Sequence, residues 1–280
     1  MHYGVNVPNF GWWAEPANFI ELAGVTEAAG WEGLFVWDHL IFTDGFPLAD
    51  PWVLLTAAAA VTKRIRLGPM VTPLPRRRPW EVARQATTLD RLSNGRLILG
   101  VGLGFPPDTE FGWFGDVEDT STRAEMLDES LEIIRGLWSG ERFSFSGRHY
   151  DLHEMTFRPV PVQQPGIPIW VAGSWPNQAP FRRAARHDGI FPLFATSGGM
   201  DLPTPAQLAE ITAYVGEHRG DPSTPFDVVL GVGDTQLRTD SGDLVKAYHE
   251  AGATWVHVFP EMEQEPTAFL ESVAQGPPGF

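Results

Sequence analysis

Apolar residues fall along this chain in short runs separated by stretches of helical spacing. Four β-like segments start at nearly equal steps, at 3–7, 33–37, 65–71 and 97–101. Each is a brief apolar run bounded by turn residues, the pattern of a buried strand. Between them the period becomes helical. Pro16 can occupy the first turn of a helix that reaches Ala29 and stops at Gly30. Pro51 opens a second helix to about Val61, and Pro79 a third to near Leu92. Thr122-Arg-Ala-Glu125 reads as a capping box for a fourth, with Leu127, Leu131, Ile134 and Trp138 on its apolar face.

The alternation resumes with strands at 167–172, 189–194, 226–231 and 254–259, and helices at 177–186, 204–217, 242–251 and 267–274. Eight strands alternating with eight helices predict an α/β fold, a (β/α)8 TIM barrel, as one domain over 1–280. An open doubly wound sheet rarely reaches eight parallel strands with so even a cadence. Two loop insertions break the rhythm. Residues 104–121 form a Pro/Gly/aromatic loop after the fourth strand, where barrel sites lie. Residues 142–168 precede the fifth strand, and Phe143-Ser-Phe145 there suggests a small hairpin.

Composition narrows the function classes. With no cysteine among 280 residues, disulfides, thiolate chemistry and cysteine metal sites are excluded. The net charge of −15 argues against nucleic acid or an anionic membrane as partner. No long apolar window and no basic-then-apolar leader is present, so a cytoplasmic location is expected. Eleven Trp and eighteen Phe are many, and several sit beside Pro and Gly in loops, where they would line an apolar pocket.

The predicted strand ends carry the candidate chemistry. Asn6 and Phe10 follow the first strand, Asp38 and His39 the second, and Met70, Val71 and Thr72 the third. The glycines of Gly100-Val-Gly102-Leu103-Gly104 free the backbone after the fourth strand. This is not a dinucleotide fingerprint, because Phe105-Pro106-Pro107 blocks an immediate helix. His39 is the neutral-pH proton shuttle placed at a strand end, and Asp38 could orient or charge it. Ala172, Gly173 and Ser174 follow the fifth strand, and free amides before a helix would make an anion site. Arg76-Arg77-Arg78 is the densest basic run and would greet an anionic cofactor; the plainer reading is a solvated loop. Asp90 and Arg96 are expected to pair around a turn, and Glu125 to serve as a cap. The histidines show no metal spacing, and there is no P-loop or Gly-x-Ser-x-Gly elbow.

Together these segments resemble the bacterial-luciferase-like superfamily of flavin- and F420-dependent oxidoreductases. The resemblance is carried by 28–39, by Val71-Thr72-Pro73-Leu74 with Arg78-Pro79, by 86–97, by 100–104, by Arg123 with Leu127-Asp128-Glu129, and by 168–174. It implies a barrel holding FMN or coenzyme F420 at its mouth, with a non-prolyl cis peptide near Met70-Val71 behind the ring. It also implies that Gly102, Leu103 and Gly104 pass beside the ring and that Gly173-Ser174 hold the phosphate. His39 matches a catalytic histidine of the family's deazaflavin dehydrogenases. Their accompanying glutamate is replaced here by Phe105, which disfavours a sugar phosphate and suits an apolar substrate.

On this reading reduced FMN would support monooxygenation and F420 a hydride transfer, and the arginine run tips the choice towards F420. Asn6, Phe10, Trp12, Trp13, Phe105, Trp113 and Phe114 would shape the substrate pocket and its lid. The partners implied are a small organic substrate and a separate reductase that supplies reduced cofactor, and the resemblance allows a homodimer. The alternatives are a non-catalytic flavin-binding protein on the same barrel and a metal-dependent hydrolase, the latter disfavoured by the missing ligands.

Overall fold

The protein is described by a computed structural model covering residues 1–196, 199–239, 242–261 and 263–278. The strands are β1 (His2–Val7), β2 (Gly33–Val36), β3 (Arg66–Pro69), β4 (Thr72–Pro73), β5 (Leu99–Gly102), β6 (Arg142–Ser146), β7 (Asp151–Thr156), β8 (Ile169–Trp175), β9 (Gly189–Thr196), β10 (Gly199–Asp201), β11 (Asp227–Gly233) and β12 (Trp255–Phe259). The helices are α1 (Pro16–Ala28), α2 (Pro51–Val61), α3 (Pro79–Ser93), α4 (Pro107–Glu110), α5 (Thr120–Trp138), α6 (Gln178–Ala184), α7 (Pro205–His218), α8 (Asp234–Thr239), α9 (Asp243–Glu250) and α10 (Pro266–Ala274).

The main sheet runs β3-β2-β1-β12-β11-β9-β8-β5-β4, parallel throughout, with β10 folded back antiparallel on β9. The bridge from Leu67 to Leu97 brings its two ends together. There Leu67 N–H donates to Arg96 O at 3.1 Å and Ile98 N–H to Leu67 O at 2.8 Å. The eight-stranded barrel is therefore as the cadence predicts. The third predicted strand is split, however: β3 pairs with β2 and β4 with β5, and the Met70–Val71 peptide between them is cis. Gly68 and Gly100 flank this junction. A Cβ on Gly68 would lie 2.2 Å from Ile98 O, and one on Gly100 2.3 Å from Pro69 O, so only glycine permits the backbones to approach.

The chain expected between the fourth helix and fifth strand does contain a hairpin, β6 with β7. Glu129 of α5 holds it by accepting N–H groups of Arg148, His149 and Tyr150. Three local expectations need correction. The cap of α5 is Asp119, whose side chain accepts from Thr122 N–H; the helix therefore begins before the predicted box. Glu125 instead pairs with Arg148 and His149 of the hairpin. Asp90 and Arg96 do not pair. Asp90 accepts from Val162, Gln163 and the Gln163 amide, while Arg96 donates to Ser93 O at the end of α3 and to the carbonyls of Ala59, Thr62 and Ile65 around the α2–β3 turn. The left-handed Asn94 and Gly95 turn the chain between them. The short α8 was not anticipated. The helix predicted over 204–217 is α7, which opens on a capping box of Thr204 and Gln207.

Inward residues of the barrel build an apolar plug of Phe35, Met70, Ile98, Trp170, Val229 and Trp255. A larger apolar layer lies between strands and helices. Among the described residues no helix is long and apolar enough to cross a membrane.

Candidate active site

Above the plug, at the C-terminal ends of the strands, lies a cavity of about 700 Å³. That is within the roughly 300–1,000 Å³ common for cofactor and ligand sites. Asn6, Met70, Val71, Gly102, Leu103, Gly104, Phe105, Ala172, Gly173 and Ser174 all line it, together with Asp38 and His39. Its wall is mainly apolar, with Trp37, Phe191, Leu193 and Phe259 added from neighbouring strand ends.

His39 stands at one side of this cavity, with 22% of its side chain exposed. Asn9 fixes its backbone: Nδ2 donates to His39 O and Ala49 O at 2.8 Å, and Oδ1 accepts from His39 N–H at 3.2 Å. The partner of its ring is not Asp38. It is Glu110, at the end of α4, whose Oε1 lies 2.8 Å from His39 Nδ1. Glu110 is fully buried and also accepts from Leu40 N–H at 3.1 Å and from Arg76 Nη1. Burial by itself would raise its pKa. The hydrogen bond from His39, the Leu40 N–H and the Arg76 charge outweigh burial and bring it below the ordinary 4.5. An ionised Glu110 only accepts, so Nδ1 of His39 carries the hydrogen and Nε2 is left for the cavity.

Asp38 stands one step behind. It accepts from Arg76 Nη2 at 2.8 Å, from Arg77 Nη2 at 2.9 Å and from Thr72 Oγ1 at 3.1 Å. The resulting chain is Asp38–Arg76–Glu110–His39. Arg76 lines the cavity, but the charges of Arg76 and Arg77 are already met by carboxylates of the protein. Arg76 has 2% of its side chain exposed and Arg77 17%, both committed to Asp38, and Arg78 is an exposed residue beside the Trp80 ring.

Other expected positions are placed elsewhere. Thr72 is buried behind the wall on Asp38. Phe10 packs behind His39, stacked on Phe42 at 4.2 Å. Trp13 is in the outer core against Trp12 and Phe269. Trp113 is 58% exposed and outside the cavity, as is Phe114. Phe105 forms an exposed part of the rim. Gly173 and Ser174 lie within β8 rather than at a helix start, and α6 is capped by Asn177.

The cavity offers polar atoms that the protein itself leaves without partners. Ser174 Oγ and Asn6 Oδ1 are buried without a hydrogen-bond partner. Buried polar atoms are rarely left so, and here both belong to residues lining the cavity. A phosphate, hydroxyl or ring amide fits such atoms. Arg123, which also lines the cavity, secures the glycine loop by donating to Leu103 O at 2.9 Å and Gly104 O at 3.0 Å. Among the described residues, no group of three or more His, Cys, Asp or Glu is arranged to hold a metal ion.

Glu110 and Asn9 go unrecognised as site residues in the sequence, and Arg76 is singled out there only as part of the basic run, not as the partner of Glu110 and Asp38. Only the placing of residues 104–121 after a strand pointed to Glu110.

The likeness to known proteins runs through the whole barrel. An uncharacterized protein of Mycobacterium tuberculosis is 34% identical over 261 residues, covering 86% of this chain and 84% of its own length. An F420-dependent glucose-6-phosphate dehydrogenase of Beutenbergia cavernae is 37% identical over 206 residues, which span 69% of this chain and 56% of that enzyme. Two solved structures share the fold at low identity. An F420-dependent secondary alcohol dehydrogenase, bound to an F420–acetone adduct, superposes with TM-score 0.79 at 18% identity, covering 98% of this chain and 97% of that one. The FMN-bound oxygenating constituent of 3,6-diketocamphane monooxygenase of Pseudomonas putida gives 0.74 at 17%, covering 98% and 96%. The family model for luciferase-like monooxygenases matches residues 1–271. With the barrel and its mouth cavity in place, the chain belongs to the luciferase-like monooxygenase family.

Proposed function

We propose that this protein is an oxidoreductase that uses F420 or FMN on a small, largely apolar organic substrate. The observation that carries the reading is His39, with Nδ1 held by the ionised Glu110 and Nε2 free at an apolar cavity. Glu110 orients the imidazole through Nδ1–H, and Arg76, itself held by Asp38, fixes Glu110. His39 can therefore accept or return a proton at Nε2 while the ring stays oriented.

The bound cofactor supplies the redox step, a hydride for F420 or dioxygen activation for FMN. Met70, Val71, Gly102, Leu103 and Gly104 would flank its ring, and Ser174 would take a phosphate or hydroxyl. The apolar wall excludes water and selects an apolar substrate. The weight towards F420 rests on the curated relatives, which include F420-dependent dehydrogenases. The buried arginines do not support it.

The test is binding first, then turnover. The purified protein is titrated with oxidised F420 and with FMN, following cofactor fluorescence, and any co-purifying cofactor is identified by mass. H39A should bind like wild type and lose roughly 100-fold or more in turnover. Binding of neither cofactor overturns the proposal; binding without any wild-type turnover favours a non-enzymatic flavin carrier, and unchanged turnover in H39A overturns the role given to His39.

A further inference from the structure

His257 is a buried titratable group with no part in the chemistry above. It lies on β12 with no exposed surface, and neither Nδ1 nor Nε2 has a hydrogen-bond partner. Phe35 stacks on the ring at 4.1 Å between centroids, and Trp170 and Trp255 approach to 5.9 Å. Burial pushes its pKa down to about 3, so the ring is neutral at ordinary pH, with one N–H and one lone pair. Its register partner on β1 is Gly4. A Cβ there would lie 3.1 Å from Cδ2 and 3.3 Å from Nε2, so this edge of the imidazole faces β1.

Asn6 lies two residues further along β1, on the same inward face. Its register partner is Phe35, whose ring stacks on His257. Asn6 is 2% exposed, and its Oδ1 is buried without a partner. Asn6 also lines the cavity, one rung above the histidine. An N–H and an acceptor of opposite need thus face inward from the neighbouring strands β12 and β1, with no direct hydrogen bond between them. Interiors resolve such pairs with an ordered water that has polar groups to hold it.

We propose that His257 is a positioning residue, joined through one bound water from Nε2–H to Asn6 Oδ1. The bridge fixes the Asn6 amide so that its Nδ2–H donates into the cavity floor, to a carbonyl of the bound cofactor or substrate. The bridge does not depend on the redox reading, whereas the donation rests on it.

The bridge is tested without cofactor. Side-chain 15N–1H NMR of wild type should show His257 as the neutral Nε2–H form, with a slowly exchanging ring proton. N6A should shift that signal and speed its exchange. An Nδ1–H form, or a signal indifferent to N6A, overturns the bridge. The donation is tested by cofactor affinity. H257F keeps the ring shape but should weaken binding about fivefold, N6A similarly, and the double variant no further. H257Q, which retains a donor, should recover most of the loss. Wild-type affinity in H257F, or losses that multiply in the double variant, overturns the positioning role. Failure of wild type to bind either cofactor sinks the redox reading and leaves the NMR result standing.

Discussion

Replacing Glu110 by Gln keeps the shape of the side chain and removes its charge. The carboxylate accepts from His39, from Leu40 N–H and from Arg76, and it is fully buried. Hydrogen bonds to charged groups contribute about 1.5–3 kcal/mol each, against about 1 for neutral ones. A glutamine also turns an N–H towards a donor. The loss is roughly 3 kcal/mol, the low end of the range for breaking a buried pair, because Asp38 still compensates Arg76. For a chain of this size that is a fall in Tm of roughly 6–12 °C.

The pH dependence gives a sharper check. The Glu110 carboxyl is lowered from 4.5 in the folded state. Its contribution is therefore complete above that pH and is lost as pH falls through the folded value. The melting gap between wild type and E110Q should be widest at neutral pH and close below pH 4.5. Turnover should fall by roughly 100-fold as His39 loses its orientation. A gap within a degree or two at pH 7, or one that stays constant into acid, refutes the reasoning.

Other outcomes follow from neighbouring features. S174A removes a hydroxyl with no protein partner, so the unliganded protein should melt within about a degree of wild type, while cofactor binding weakens roughly tenfold. His187 is held down to about 3 by burial and by the charges of Arg135, Arg186 and Arg183. The unfolded chain takes up this proton first, so stability should fall as pH drops from 6.5, and urea midpoints of H187N should fall less over the same interval. E129A removes the acceptor of three hairpin N–H groups, and limited proteolysis should then cut within 142–156 before the barrel.

The barrel was legible because its determinants are local. Apolar runs, proline starts and glycine stops lie next to the elements they specify, and β1, β2, α2 and α7 fall where they were expected. The family resemblance supplied what the pattern could not, including the cis bond at Met70–Val71. The polar network was hidden for a different reason. Glu110 is 71 residues from His39 and sits in a proline-rich loop without periodicity. Sequence adjacency favoured Asp38 instead, and adjacent residues at a strand end face different ways. The same bias paired Asp90 with Arg96. The glycines at 100–104 were read as room for a ligand. Gly100 instead relieves a backbone contact with Pro69 and is not among the cavity-lining residues, and only Gly102 and Gly104 reach the cavity.

The uneven pairing around the sheet has a mechanical consequence. β9 meets β11 through two residue pairs, as β4 meets β5, and Leu67 of β3 meets Leu97 ahead of β5 through one bridge. The β9–β11 joint and the Leu67–Leu97 bridge part the sheet into one arc of β3, β2, β1, β12 and β11 and another of β9, β8, β5 and β4. His39 and Asp38 extend from the first arc; Arg76 and Glu110 extend from the second. Every bond between these pairs therefore staples the arcs together at the cavity end. Under the proposed function, proton handling and the width of the cavity would be set by the same four side chains, so a change in the contacts of one would adjust the grip of the barrel on its ligand.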